Sequence, residues 1–318
     1  MIYVDMTGRC GNQFFQYAFA RKLMCLHPDQ SLHINFSNVE RWRVKTHDDS
    51  FSDQLQYFQV MPYTSSSEAQ NALQTYGSLK QNHAFRNYQF KRKVANKFKI
   101  RRLHDFALHT LNKKNIYRED ESQDNIFLPV ATDNIFVKGY FENSKYFNDI
   151  RDILLYEFTP RQPIPEKNQH LYDMINQRQS VCVSFRKWGE VSEQVAKERD
   201  VCGKEYYEKA IETMHQIFPD CVFVVFSNDI EWVKNNFRFK YETVFEDGTD
   251  EIWEKMRLMY SCKHFIMSTS TFCWWAQYLC RNPQKKVISP KQWYADVTKV
   301  CYLLQSEWTK ISTEENNG

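Results

Sequence analysis

Small polar and charged side chains follow each of three short apolar runs in the second half of the chain. They are Arg186, Lys187 and Glu190 after residues 181–185, Ser227 and Asp229 after residues 221–226, and Ser268, Ser270 and Thr271 after residues 265–267. Guanidinium, ammonium and hydroxyl groups at such positions suit a phosphorylated ligand. The spacing therefore predicts a nucleotide site at the ends of these runs.

The segments between the apolar runs have the length and pattern of helices. Short apolar runs separated by helices predict a parallel sheet that is buried on both faces. In such a sheet the loops at the carboxyl ends of the strands meet in one crevice, where ligands bind. A strand at residues 2–5, a helix to about residue 27 and a strand near residues 31–36 open the chain with the same alternation. The sequence therefore predicts an α/β fold in both halves.

The turn after the first strand contains Gly8, Arg9, Gly11 and Asn12. A strand, a glycine-containing turn and a helix start form half of a Rossmann-like unit, but two residues separate the glycines, so the dinucleotide fingerprint is incomplete. Gly11 would permit close approach of a ligand, and Arg9 and Asn12 would supply polar contacts. The turn is equally compatible with a tight strand–helix connection in which Arg9 is merely solvated.

Length and composition favour two globular domains. The chain has 318 residues, and three of its nine prolines fall within residues 158–165, which predicts a linker between domains at 1–160 and 161–318. A net charge of +3 is too small to indicate nucleic acid as a partner. The absence of a signal-peptide pattern and of any run of 18 apolar residues leads us to expect a cytoplasmic protein, soluble or peripheral on a membrane.

Cysteine, histidine and aspartate patterns give no indication of a metal or disulfide framework. The nine cysteines are odd in number and form no C-x-x-C pair, which predicts reduced thiols. The chain also contains neither H-E-x-x-H nor D-x-D. We therefore expect activity without a bound metal ion.

Residues 91–114 carry nine lysines and arginines against one carboxylate, Asp105. Phe90, Val94 and Phe98 could line one face of a helix there. One interpretation is a surface helix with a solvated basic face. The other is electrostatic docking on anionic lipid head groups, which contributes about 1 kcal/mol for each basic residue near the surface.

Four stretches along the chain resemble one enzyme family. They are GRCGNQFFQYA at residues 8–18, GYF at residues 139–141, FSNDIEW at residues 226–232 and STFCWW at residues 270–275, the last followed by ISPKQW at residues 288–293. In this combination and order the chain resembles glycosyltransferase family 11, the α-1,2-fucosyltransferases. The family's H-x-R-R-x-D signature is altered here, because Ser184 stands at the histidine position, Lys187 at the second arginine and Glu190 at the acid.

The resemblance implies a GT-B fold of two Rossmann-like domains facing a cleft, with the acceptor held mainly by residues 1–160 and GDP-fucose by residues 161–318. It implies inverting transfer of L-fucose from GDP-β-L-fucose to the 2-hydroxyl of a terminal galactose, without a metal. Among the members of the family, the chain resembles the bacterial enzymes that modify a lipid-linked surface glycan such as O-antigen at the inner face of the membrane.

The resemblance also suggests roles for individual residues. Arg186 would stabilise the β-phosphate, with Asn12 and Glu190 as further catalytic candidates; Glu190 and Glu142 are the weak candidates for the general base. Donor contacts would come from Gly8, Arg9, Gly11, Asn12, Ser184, Lys187, Ser227, Asp229, Ser268, Ser270 and Thr271. Asp229 and Ser270 are also typical helix N-caps, and the two roles are compatible. The resemblance assigns the family histidine to contact with the guanine or its neighbourhood. Ser184 can form hydrogen bonds but cannot become cationic, so the resemblance does not establish a guanine contact at this position.

Two alternatives remain open at this level. The first is a glycosyltransferase of the same fold with a different nucleotide-sugar donor, suggested by Ser184. The second is a non-catalytic protein that binds glycans or polyanions through residues 91–114.

Overall fold

The computed structural model describes residues 1–66, 71–118, 134–190 and 192–313. The chain folds into two compact units, Met1–Glu157 and Phe158–Gly318. Each unit contains one parallel sheet with helices, which confirms the predicted class of two Rossmann-like α/β units. The sequence places the boundary after residue 160, whereas the division into units falls after Glu157, so the proline-containing segment belongs to the second unit.

In the described chain, the first unit begins with alternating strands and helices, and three consecutive helices come after the third strand. In order the elements are β1 (Ile2–Asp5), α1 (Cys10–Leu26), β2 (Leu32–Asn35), α2 (Ser37–Thr46), β3 (Tyr63–Ser66), α3 (Ala72–Tyr76), α4 (Leu79–Phe98), α5 (Arg101–Asn112), β4 (Ile116–Arg118), β5 (Ile135–Lys138) and α6 (Arg151–Glu157). The strands form a parallel sheet in the order β3-β2-β1-β5-β4. The first strand of the chain therefore lies at the centre of this sheet.

Aromatic side chains of α1 form much of the core beneath this sheet. Phe14, Phe15 and Phe19 are completely buried, and Phe19 stacks on Phe141 with ring centroids 4.1 Å apart. Such large side chains contribute about 1.5–3 kcal/mol each when fully buried. This packing fixes the start of α1, and with it the turn that joins β1 to α1.

The second unit continues the alternation. In order the elements are α7 (Gln169–Gln177), β6 (Gln179–Phe185), α8 (Glu193–Arg199), α9 (Lys204–Ile217), β7 (Cys221–Ser227), α10 (Ile230–Asn236), β8 (Thr243–Phe245), α11 (Ile252–Ser261), β9 (His264–Ile266), α12 (Thr271–Leu279), β10 (Val287–Pro290) and β11 (Thr309–Ile311). The strands form a parallel sheet in the order β11-β10-β9-β6-β7-β8.

The strand order of the second unit reverses direction between β6 and β9. The chain proceeds from β6 through β7 to β8 on one side, and then returns to build β9, β10 and β11 on the other. The two strands are in direct register, with Val183 opposite Ile266. This is the doubly wound order of Rossmann folds, in which the loops after the two central strands leave in opposite directions and open a crevice between them.

The central strands form as predicted because most of their residues are apolar. All seven residues of β7 are buried, as are Val181 to Phe185 of β6. Phe185 faces α9, where its ring lies 3.9 Å from that of Tyr207. Strands that are buried on both faces leave their polar residues only at the ends, and these ends hold the predicted site residues.

Two elements of the second unit were not predicted. The sequence indicates a loop from Arg186 to Cys202, but residues Glu193–Arg199 form α8, which contains no buried residue and so lacks an apolar periodicity. Its start is marked only by Ser192, whose hydroxyl accepts a hydrogen bond from the Val195 N–H at 3.2 Å. Strand β11 contains one half-buried residue, Ile311, among exposed neighbours, and gives a similarly weak pattern.

Two further expectations concern thiols and the membrane. All nine cysteines lie within the described ranges, and all are free thiols, which agrees with the predicted absence of disulfides. Within the described ranges, we find no helix whose length and hydrophobicity would allow it to span a bilayer.

The basic segment 91–114 contains the end of α4 and the whole of α5, which pack side by side. Large apolar side chains on these helices remain exposed: Phe90 is 69% exposed, Phe98 63% and Phe106 59%. The Lys91 ammonium lies 5.0 Å from the centre of the Phe106 ring, so the exposed aromatic and cationic side chains share one surface.

A buried ionic network anchors the proline-containing segment to the second unit. The Arg257 guanidinium pairs with the buried carboxylate of Glu254 and donates to the backbone carbonyls of Gln162 at 2.7 Å and Pro163 at 2.9 Å. Glu254 also accepts hydrogen bonds from Asn168 at 2.9 Å and from the Tyr172 hydroxyl at 3.1 Å. The segment is therefore held in a defined path without regular secondary structure.

We predict that Glu254→Ala destabilises the second unit by about 3–5 kcal/mol, because it leaves the Arg257 guanidinium buried without a counter-charge. Chemical denaturation followed by tryptophan fluorescence measures this loss. The matched control is Glu242→Ala, which removes a carboxylate from the exposed ion pair with Arg178 and should have a much smaller effect. Equal losses in the two variants would contradict a structural role for the network.

Candidate functional site

The candidate site of the second unit lies at the carboxyl ends of β6 and β9, where the loops that follow the two strands leave in opposite directions. The Ser184 hydroxyl near the end of β6 lies 3.1 Å from the Ser268 hydroxyl, just beyond the end of β9. Ser184 is only 6% exposed. The parallel pairing of the two strands brings these residues together, although they are 84 positions apart in the chain.

A short chain of hydrogen bonds continues beneath these serines. Ser268 Oγ lies 3.6 Å from the Cys273 thiol, which in turn contacts the backbone carbonyl of Ser270 at 3.2 Å. Burial raises the pKa of the Cys273 thiol, so it remains protonated at neutral pH. The Ser184 position therefore belongs to a neutral, interior network rather than to a cationic contact surface.

The loop after β6 carries Arg186, whose guanidinium pairs with the Glu190 carboxylate. Arg186 also lies over the ring of Trp188, at 5.0 Å from its centre. Glu190 accepts a second hydrogen bond at 2.8 Å from the Asn228 amide, so its carboxylate ties the loop to the end of β7. These contacts hold both predicted catalytic residues of this loop in one arrangement, with Glu190 orienting the loop.

Lys187 and Asp229 form a second ion pair at the same edge of the sheet, with 3.0 Å between Nζ and Oδ2. The other oxygen of Asp229 accepts a hydrogen bond from the Trp232 N–H at 3.0 Å, so Asp229 is the N-cap of α10. The hydrogen bond from Lys187, followed by that from the Trp232 N–H, holds the pKa of Asp229 below its ordinary value. The carboxylate is therefore ionised at neutral pH, as a contact to the guanine N–H groups would require.

Two side chains at the end of β7 organise the neighbouring backbone. The Asn228 amide group accepts the Lys187 N–H at 2.9 Å and donates to the Lys187 carbonyl at 3.1 Å. The buried Ser227 hydroxyl accepts the Asp229 N–H at 3.0 Å. Ser227 therefore shapes the turn at the site.

The turn between β9 and α12 contains the third group of predicted residues. Ser270 caps α12, since its hydroxyl accepts the Phe272 N–H at 3.2 Å. Thr271 is half-buried in the first turn of this helix. The buried hydroxyl of Thr269 accepts the Trp188 indole N–H at 3.1 Å and donates to the Arg199 carbonyl at 2.7 Å. The turn thus links the loop after β6 to the end of α8.

The predicted residues of the first unit lie together on the turn between β1 and α1. Gly8 has a φ of +80°, and a Cβ atom there would lie 2.5 Å from the Asn12 amide nitrogen, so both conformation and space require glycine. The buried Gln13 amide donates to the Gly8 carbonyl at 3.1 Å, while Gln16 accepts the Thr7 N–H at 3.0 Å and donates to the Thr7 carbonyl at 2.7 Å. These glutamines fix the turn from inside the unit.

Arg9 on the same turn forms an ion pair with Asp48, and its guanidinium lies 4.7 Å from the centre of the Phe51 ring. Gly11 is buried in the first turn of α1, and Asn12 is half-buried beside it. Glu142, the other candidate base, is half-buried after β5. The predicted residues thus fall into two groups, one in each unit.

The sequence patterns assign no role to four residues that contact the second-unit group. They are Trp188, Arg199, Asn228 and Thr269. Asn228 and Thr269 stand within the polar clusters that follow the apolar runs, so their position was a usable signal. Arg199 is at the end of a helix that the sequence does not predict, and two of its contacts, Thr269 and Tyr294, are far away in the chain.

Trp274 and Trp275 are completely or almost completely buried, so they belong to the core of the second unit. The Trp274 indole N–H donates to the Leu303 carbonyl at 2.9 Å.

Within the described residues, three carboxylates that could hold a metal ion approach one another: Glu246, Asp247 and Asp250. Two lysine ammonium groups offset part of their charge. Lys255 lies 3.2 Å from Glu246, and Lys167 lies 2.8 Å from Asp250 and 3.6 Å from Asp247. Each of the three carboxylates therefore has a lysine partner, and Asp247 and Asp250 share one.

Comparison with known proteins places the chain among glycosyltransferases. The family model described as glycosyl transferase family 11 matches residues 1–312. An Escherichia coli alpha-1,2-colitosyltransferase is 32% identical over 162 residues, which are 49% of this chain and 55% of the relative. The O-antigen biosynthesis glycosyltransferase WbnK of Escherichia coli is 26% identical over 180 residues, 54% of this chain and 59% of the relative.

A galactoside alpha-(1,2)-fucosyltransferase 1 of Leontopithecus chrysomelas is 28% identical over 145 residues, 42% of this chain and 40% of the relative. The chain therefore spans about half the length of the curated relatives that it matches. Among solved structures, NodZ alpha-1,6-fucosyltransferase soaked with GDP-fucose aligns with 91% of this chain and 94% of its own, at 11% identity and a TM-score of 0.46.

We predict that Ser270→Ala lowers the free energy of unfolding by about 1 kcal/mol through loss of the N-cap of α12. Thermal unfolding measures this change, with Ser306→Ala as a control because Ser306 is exposed and caps no helix. Titration with GDP separates the two roles proposed for Ser270. An unchanged stability together with a clear loss of GDP affinity would show that capping is not its main contribution.

Proposed function

The chain belongs to glycosyltransferase family 11, and on this basis we propose that it transfers L-fucose from GDP-β-L-fucose to the 2-hydroxyl of a terminal galactose, with inversion at the anomeric carbon. The second unit would bind the GDP part of the donor, and the first unit would hold mainly the acceptor. The similarity to an α-1,2-fucosyltransferase and to α-1,2-colitosyltransferase supports this linkage.

One observation carries the proposal: the side chains that could bind a nucleotide diphosphate converge at the point where β6 and β9 diverge. Arg186, Lys187 and the Ser268–Thr271 turn come from separate parts of the chain and meet at one edge of the sheet. Ligands of doubly wound sheets bind at such a position.

The chemistry requires positive charge at this edge. As the bond between the fucose C1 and the diphosphate oxygen breaks, its electron pair stays on the β-phosphate while the sugar ring becomes cationic. The galactose 2-hydroxyl then attacks C1 from the opposite face, and its proton passes to a base or to solvent. A guanidinium stabilises the departing phosphate with two parallel N–H donors, and Arg186 would supply it.

We extend the proposal to catalysis without a metal ion. The two cationic side chains of the loop after β6 would balance the diphosphate charge that a divalent cation balances in other enzymes. The lack of a D-x-D motif is in keeping with this interpretation.

The acceptor is proposed to be a surface glycan such as O-antigen, on a lipid carrier. The similarity to an O-antigen biosynthesis glycosyltransferase supports this assignment.

A second candidate function keeps the fold and changes the donor. The relative at 32% identity is a colitosyltransferase, and Ser184 replaces the histidine of the family signature in a buried, neutral network. The donor sugar or base could therefore differ from GDP-fucose. Thermal shifts with GDP, UDP and ADP, followed by transfer assays with fucose and colitose donors, distinguish these functions.

We predict that the protein transfers fucose from GDP-fucose to a β-galactoside at an undiminished rate in the presence of EDTA. Arg186→Ala should lower kcat by about 10²–10³-fold, as expected for the loss of one donor to the charge that develops in the transition state. The assay is mass spectrometry of the product, with Arg178→Ala as a control at the amino end of β6. Full activity of Arg186→Ala, or strict dependence on a divalent metal, would contradict the proposed mechanism.

We also propose that α4 and α5 attach the protein peripherally to an anionic membrane. The exposed Phe90, Phe98 and Phe106 side chains and the nine cationic residues of segment 91–114 combine an apolar and an electrostatic contribution. Such attachment would place the enzyme beside a lipid-linked acceptor at the inner face of a membrane.

We predict that the protein cosediments with vesicles containing phosphatidylglycerol, but not with vesicles of pure phosphatidylcholine, and that salt weakens binding. The triple variant Lys93→Glu, Lys97→Glu and Lys99→Glu should lower the affinity by at least about 100-fold, at about 1 kcal/mol per basic residue. The control variant replaces three exposed lysines of the second unit by glutamate: Lys204, Lys209 and Lys240. Equal binding by both variants would rule out docking through this surface.

A further inference from the structure

Arg199 is a cation of the second-unit site for which the sequence predicts no role. Neighbouring cations are paired with carboxylates: Arg186 with Glu190, Lys187 with Asp229, and Lys299 with Glu198. Within the described part of the chain, the Arg199 guanidinium has neither an ion pair nor a hydrogen bond. Its N–H donors therefore remain available to a ligand.

Arg199 is nevertheless held in position from three sides. Its backbone carbonyl accepts the Thr269 hydroxyl at 2.7 Å, at the end of β9. Its guanidinium carbon lies 5.1 Å from the centre of the Tyr294 ring, beyond β10, and 5.4 Å from that of Trp188, beyond β6. The three contacts come from loops at the carboxyl ends of neighbouring strands, the edge where ligands of such sheets bind.

Two guanidinium groups contact the ring of Trp188. Arg186 lies 5.0 Å from the centre of its ring and Arg199 lies 5.4 Å from it. The indole N–H donates to Thr269 at 3.1 Å, which fixes the plane of the ring. Attraction between each cation and the ring helps to hold the two like charges near each other.

A pair of guanidinium groups at this position suits a ligand with two adjacent anionic groups. Arginine stays charged at any relevant pH, and its planar group donates two parallel hydrogen bonds to a phosphate. Arg186 already shares its charge with Glu190, whereas the charge of Arg199 is uncompensated by any carboxylate among the described residues. An incoming anion would therefore gain more from Arg199 than from a cation that is already paired.

We propose that Arg199 binds the diphosphate of the nucleotide-sugar donor, together with Arg186 across the ring of Trp188. This inference rests on the proposed function, because it assigns a further residue to the same donor site. Thr269 acts through Arg199 and Trp188 and is a positioning residue.

The test compares ligands that differ only in the phosphates. The affinities of GDP and of guanosine are measured by isothermal titration for the wild type, Arg199→Ala, Arg199→Lys and the control Arg238→Ala. Arg238 is an arginine of the second unit that donates to the carbonyl of Lys234, away from the site. We expect Arg199→Ala to lower the affinity for GDP by about tenfold or more, as for the loss of a hydrogen bond to a charged group. The affinity for guanosine should stay within about twofold of the wild-type value.

Arg199→Lys keeps the charge without the planar fork, so it should recover part of the lost GDP affinity. Thermal unfolding identifies any variant that fails to fold; in that event Arg199→Gln, which keeps most of the side-chain volume, replaces Arg199→Ala. Equal losses for GDP and guanosine, or no loss for either, would overturn the proposal.

The donor's identity is tested in the same experiment. If UDP or ADP binds in place of GDP, the comparison is repeated with that diphosphate and its nucleoside, so the GDP-fucose assignment fails while the role of Arg199 is still measured. A wild-type protein that binds no nucleoside diphosphate would overturn both.

Discussion

The reversal of strand order between β6 and β9 is the constraint on which the second unit depends. Two adjacent parallel strands end at the same edge, but their following loops leave toward opposite faces of the sheet, so the space above the strand ends stays open. The hydrogen bond between Ser184 and Ser268 marks this point, because it joins the ends of the two strands directly. In the second unit, Arg186 and Lys187 lie on the loop that starts at this edge, and Arg199 at the end of α8 is connected to it through Thr269.

The charges at this edge are arranged before any ligand arrives. Arg186 and Lys187 are each held by a carboxylate, and the backbone of their loop is tied to the side chain of Asn228. A ligand that binds to such side chains loses little free energy to their ordering, since the ordering has already occurred on folding. Glu190 and Asp229 therefore contribute to the site even where they do not touch a substrate.

The parts of the site that could be predicted from sequence are those attached directly to long apolar strands. Residues 221–226 are all hydrophobic and residues 181–185 are hydrophobic except for Ser184, so the positions of Arg186 and Asp229 after these runs follow from the pattern alone. Helix α8 could not be predicted, because none of its residues is fully buried and it carries no apolar stripe. The contacts of Arg199 depend on Trp188, Thr269 and Tyr294, which tertiary structure brings together, and no local rule links them.

The central position of β1 in the first sheet has a consequence for folding during synthesis on the ribosome. β1 pairs with β2 on one side, but its other partner is β5, so Ile2 lies beside Ile135. At about 5–20 residues per second, synthesis takes several seconds to deliver this second partner. During that interval an apolar strand has one unpaired edge, which makes the nascent first unit prone to aggregation. Chaperone occupancy during translation would fall most sharply once the segment Ile135–Lys138 has emerged.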